Sequence, residues 1–74
     1  MSAQDAVFVR VTDWEGLYID GRLVEQNSTM DLAWELDGKS VNFRFREGTE
    51  EEDRYIMETG GFPTTLEELV STNR

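Results

Sequence analysis

Met30-Asp31-Leu32-Ala33-Trp34-Glu35-Leu36-Asp37-Gly38-Lys39-Ser40-Val41-Asn42-Phe43-Arg44-Phe45-Arg46-Glu47 carries the strongest folding signal in the chain. Met30, Leu32, Trp34 and Leu36 alternate with Asp31, Ala33, Glu35 and Asp37, and Val41, Phe43 and Phe45 alternate with Ser40, Asn42, Arg44 and Arg46. Period-two alternation is the mark of a strand with one buried face. Asp37-Gly38 between the runs suits a two-residue type I′ turn, which fixes every cross-strand partner. Trp34 then faces Val41, Leu32 faces Phe43 and Met30 faces Phe45, while Asp31 meets Arg44 on the other side as an opposite-charge pair. The competing reading is a short helix from Met30, capped by Ser28 with Asp31 completing a capping box. The hairpin is preferred because both of its faces match at once.

On either side the signals are shorter. Residues 7–12 (VFVRVT) read as a strand, and residues 13–16 as a turn or bulge. Residues 17–19 and 22–26 flank Asp20-Gly21, a second type I′ signal, with apolar residues on both faces. Residues 54–59 read as a sixth strand with Tyr55 and Met57 inward. The alternative there is the body of a helix opening at Thr49, with Glu52 as reciprocal cap. Gly60-Gly61 interrupts, and Phe62-Pro63 restricts the approach to a helix capped by Thr64 or Thr65, with Leu66, Leu69 and Val70 on one face. The expected fold is α+β: a small antiparallel meander of five or six strands, strongly twisted and able to curl toward a barrel, with one short C-terminal helix. At 74 residues the whole chain, 1–74, is read as a single small domain.

Composition removes whole classes of chemistry. There is no cysteine and no histidine. That leaves no disulfide, no usual zinc ligand set, and no histidine-activated nucleophile. Met1-Ser2-Ala3-Gln4-Asp5 lacks the cationic and apolar regions of a secretory signal, and no apolar run approaches the ~20 residues that span a bilayer. A soluble, cytoplasmic protein is expected, without cofactor, metal or catalytic residue, and not an enzyme.

The charge is the functional clue. The chain holds 16 acidic and 7 basic residues, a net charge of −9. Residues 47–68 contain eight carboxylates against the single cation Arg54. Such a field attracts cationic surfaces and repels nucleic acid and anionic lipid. Glu47, Glu50, Glu51, Glu52, Asp53 and Glu58 are the candidate partner-binding carboxylates. Trp14 and Phe62, beside turns, are candidate aromatic anchors. Trp34 is assigned to the core by its alternation with Leu32 and Leu36.

Other motifs carry less. Residues 33–40 match a permissive phosphate-loop pattern, yet alternate like a strand and place Glu35 and Asp37 where phosphates would sit. Asn27-Ser28-Thr29 is a glycosylation sequon and more simply a polar turn. Residues 50–53 lack the alternating ligands and central glycine of a calcium loop. Arg44, Arg46 and Lys39 form a basic stripe, but Phe43 and Phe45 point to the opposite face, so pairing with Asp31 and Glu35 is the simpler account.

These features together predict a small acidic protein-binding module, an inhibitor that offers carboxylates to a basic, nucleic-acid-binding site on a partner protein. In class and composition it resembles the DNA-mimicking anti-restriction and anti-CRISPR proteins of phages and mobile elements, although no motif places it in a family. The alternative is a structural or homodimeric module pairing through a strand edge, at residues 7–12 or 54–58, with acidity serving solubility or host adaptation.

Overall fold

The computed structural model describes residues 4–29 and 41–73. In chain order these form β1 (Gln4–Arg10), β2 (Glu15–Ile19), β3 (Arg22–Asn27), β4 (Val41–Glu47), α1 (Glu50–Thr59) and α2 (Leu66–Ser71). The strands make one sheet of order β3-β2-β1-β4. β1–β2 and β2–β3 are antiparallel, whereas β1–β4 is parallel, with Gln4 beside Val41 and Arg10 beside Glu47.

The α+β class is as expected, but the meander is not. Among the described residues the sheet has four strands rather than five or six, is mixed rather than antiparallel, and is joined by two helices rather than one. A parallel neighbour cannot be reached through a two-residue turn. Alternation within β4 shows which side chains share a face, but not which strand lies alongside. The Asp37-Gly38 turn, the expected partners Met30, Asp31, Leu32 and Trp34, the alternative helix at Met30 and most of the phosphate-loop match lie outside the described residues.

The first hairpin forms where the sequence placed it. Asp20 and Gly21 both take positive φ, 51° and 82°, as a type I′ turn requires. The Asp20 carboxylate adds a hydrogen bond from the Asp5 amide at 3.1 Å, locking the turn onto β1. Leu17 and Tyr18 are adjacent and both fully buried, because β2 is covered on both faces. Val7, Val9, Val11 and Tyr18 pack with Ile56, Phe62 and Leu69 on the helical side. Ala6, Phe8 and Leu17 form a second cluster on the other.

Residues 54–59 are helical, not a strand. Thr49 and Glu52 form a complete capping box, and Gly60 closes α1 in the left-handed region at φ 85°. Helical spacing buries Glu52 and Ile56 and half-buries Tyr55, leaving Met57 71% exposed, whereas a strand would have turned Met57 inward beside Tyr55. Thr65 caps α2 by accepting from the Glu68 amide at 3.2 Å, and Leu69 is its fully buried anchor.

Both expected edges are occupied otherwise. β1 has a strand on each side, and residues 54–58 belong to α1. Among the described strands the edges are β3 and β4. The start of β3 is covered by the segment before α2: the Leu23 amide donates to Thr64 O, and the Leu66 amide to Gly21 O. No helix among the described residues is long and apolar enough to cross a membrane.

Candidate acidic interaction surface

α1 is the scaffold of the acidic surface. Its first turn carries Glu50, Glu51, Glu52 and Asp53, where the helix macrodipole favours anions, and its last turn has no basic residue. Glu50, Glu51 and Glu58 are exposed, as is Glu47 at the end of β4. Asp53 is half-buried and accepts from Thr12 Oγ1 at 2.9 Å. Glu47, Glu50 and Asp53 line an open cleft between the β1–β2 turn and the start of α1, with Arg10 and Thr12 opposite. The Arg10 guanidinium there is engaged by Glu15 at 3.0 Å and lies over the Phe8 and Phe45 rings.

Glu52 departs from this group. It is fully buried and pairs with Arg46, accepting also from the Thr49 amide at 3.1 Å and from Asn73 Nδ2 at 2.6 Å. Burial alone would raise its pKa, but the hydrogen bonds from Arg46, Thr49 and Asn73 outweigh desolvation and hold the carboxyl below its usual range. Glu52 is therefore an internal counter-ion and presents nothing to a partner. Arg46 in turn pairs with Glu52, and its expected partners Asp31 and Glu35 lie outside the described residues.

The two aromatic candidates are also held from within. Phe62 is buried, edge-on to Tyr18 with ring centroids 6.2 Å apart. Trp14 is half-buried and donates its indole N–H to Gln26 Oε1 at 2.9 Å. The same oxygen accepts from the Phe62 amide at 2.9 Å, so Gln26 ties both aromatic segments together. Phe62 is a core residue, placed there because Gly16 leaves room for its ring. Asn73 and Gln26 were not singled out in the sequence: single polar residues whose partners are distant in the chain leave no local pattern. Thr49-x-x-Glu52, in contrast, was a legible capping signal.

The surface that results is Glu47, Glu50, Glu51 and Glu58 exposed, with Asp53 at the cleft wall. Among the described residues no three carboxylates converge as ligands of a metal ion would. Comparison with protein-family models, curated proteins and solved structures finds no match.

Proposed function

We propose that this chain is a non-enzymatic protein-binding module, an inhibitor whose Glu47, Glu50, Glu51, Asp53 and Glu58 occupy a basic, nucleic-acid-binding site on a partner protein. One observation carries the reading: these carboxylates ride on or beside one helix whose N-terminus is capped and whose buried face holds Glu52 and Ile56. The surface therefore keeps its shape, and shape is what separates a mimic from a merely acidic tail. Glu50 and Glu58 are eight residues apart, ~12 Å of helix axis, and four unburied carboxylates lie in that span. One nucleic-acid strand carries a phosphate every ~3.4 Å, so four charges over this span, though unevenly stepped, are about as dense as a single strand and sparser than a duplex. The reading carries with it a cytoplasmic site of action.

The test uses five substitutions, Glu47→Gln, Glu50→Gln, Glu51→Gln, Asp53→Asn and Glu58→Gln, combined in one full-length chain. A partner captured from the native host at low salt should be released by high salt and displaced by single-stranded DNA or RNA. The neutralised chain should bind it at least ~10-fold more slowly, because rim charges act mainly on association. Capture that is indifferent to salt, to nucleic acid and to the five substitutions overturns the reading.

A further inference from the structure

The outer edge of β4 is unlike the rest of the molecule. β4 (Val41–Glu47) ends the sheet among the described strands, and no described segment covers its edge as the one before α2 covers β3. Phe43 and Phe45 on one face are 44% and 49% exposed. Arg44 on the other is exposed and has no ion pair among the described residues. In a chain of net charge −9, this strand is locally cationic and half apolar. An open edge with exposed aromatics is a template for another strand.

We propose that β4 pairs antiparallel with β4 of a second copy about a two-fold axis at Phe43, joining two sheets into one. Self-complementarity selects both the occupant and the register. With the axis normal to the sheet, directly opposed residues share a face, so only registers centred on a residue are compatible with the pleat. Three of these overlap at least five residues of β4: those centred on Phe43, Arg44 and Phe45. Centring on Arg44 sets it against the partner's Arg44, and centring on Phe45 sets each Phe43 against the partner's Glu47 and each Arg44 against the partner's Arg46, whose charge Glu52 already holds. Like charges directly opposed are destabilising. Centring on Phe43 stacks the two Phe43 rings, sets Val41 against the partner's Phe45 and Asn42 against the partner's Arg44. One aromatic pair, two apolar pairs and two polar-to-cation pairs result, with no repulsion across the strands. A strand edge alone buries less than ~1,000 Å², so the dimer is weak and fills only toward the upper end of protein concentration. Net repulsion between two anionic copies makes it tighter as salt rises, the reverse of the binding proposed for the carboxylate surface.

Sedimentation equilibrium of the full chain from ~1 to ~500 µM, at ~20 and ~300 mM salt, reads this directly. The mass should rise from 8.6 kDa toward twice that value, and further at the higher salt. Asn42→Asp, which places a carboxylate opposite the partner's Arg44 twice by symmetry, should tighten the dimer by roughly three- to tenfold. Asn42→Arg should loosen it at least as much, and Phe43→Lys should abolish it. Asn42 is exposed on the strand but lies beside Asp5 of β1, so Asn42→Asp costs a little stability and Asn42→Arg does not; circular dichroism and urea melts check that both variants stay folded. A constant monomer mass overturns the proposal and leaves the edge to residues 30–40 of the same chain or to another protein's strand. A dimer that Asn42→Asp and Asn42→Arg both leave unchanged overturns it as well, since the interface then lies elsewhere. Neither result bears on the carboxylate surface, which the five neutralising substitutions test separately.

Discussion

The Arg46 guanidinium reaches from β4 to the Glu52 carboxylate inside α1, and that carboxylate has no exposure to solvent. Thr49 and Asn73 complete its hydrogen bonds, so a single side chain joins the end of the sheet, the start of α1 and the turn after α2. Arg46 Nη1 is buried with no hydrogen-bond partner among the described residues, where Glu52 is the one anion the guanidinium meets. Removing one member of a buried pair strands the other. Glu52→Ala is expected to cost about 3–5 kcal/mol, comparable with the whole stability of a small domain. Glu52→Gln, which keeps an oxygen for the Thr49 amide, should cost less, about 1.5–3 kcal/mol. Urea denaturation of the two variants checks the order. Equal and negligible effects would mean that the network contributes nothing to stability.

Stability should fall at both ends of the pH range, for two different residues. Glu52 titrates below the usual carboxylate value when folded, so its contribution is complete above about pH 4.3 and is lost as pH falls through the lower folded value. Tyr18 is the opposite case. Burial, helped by Glu68 and Glu52, pushes its phenol up, and its hydroxyl donates to Pro63 O at 2.8 Å. Its contribution is complete below about pH 10 and is lost as pH rises toward the folded value. Urea melts across pH should show Glu52→Gln flattening the acid limb and Tyr18→Phe the alkaline one. Tyr18→Phe should also lower the plateau by about 1 kcal/mol, for the lost hydrogen bond.

What could be read from the residues divides by range. Asp20-Gly21, Thr49-x-x-Glu52 and Thr65 ahead of α2 are short signals, and each sits in the structure with the geometry its chemistry demands. Residues 54–59 misled because Tyr55 and Met57 fit a period of two over so short a run, while Glu52, Tyr55 and Ile56 fit a helix just as well. The capping box and the buried Ile56 decide between them. The neighbour of β4 was out of reach, because parallel pairing with β1 joins residues more than thirty positions apart, Gln4 with Val41. The candidate site shows the same division. Acidity located the surface, but neither the inward turn of Glu52 nor the burial of Phe62 leaves a trace in composition.

Phe62 and Gly16 form a pair whose coupling can be measured. A Cβ built on Gly16 would lie 2.8 Å from Phe62 Cδ2, closer than real contacts allow. Gly16→Ala must therefore displace the ring from its place against Tyr18, at a cost of about 1–3 kcal/mol. Phe62→Leu costs a similar amount through lost packing, but opens the space that the added methyl group needs. The double variant should be more stable than the sum of the two losses implies, by 0.5 kcal/mol or more on the usual scale of contacting pairs, roughly. Strict additivity in a double-mutant cycle would show that the ring does not depend on the missing side chain.

Glu58 offers a way to separate folding from function. It stands in the last turn of α1, at the negative end of the macrodipole, with no basic residue beside it in that turn. A carboxylate there opposes the helix it sits on, while Arg54 one turn earlier offsets part of that cost, so Glu58→Lys should stabilise the domain by no more than about 0.5 kcal/mol. The same change takes two units of negative charge from the proposed binding surface and should slow association with a basic partner. A variant that melts at higher urea yet binds more slowly would mean that the unfavourable carboxylate is maintained for recognition. Faster or unchanged binding would remove Glu58 from the surface and confine recognition to Glu47, Glu50, Glu51 and Asp53.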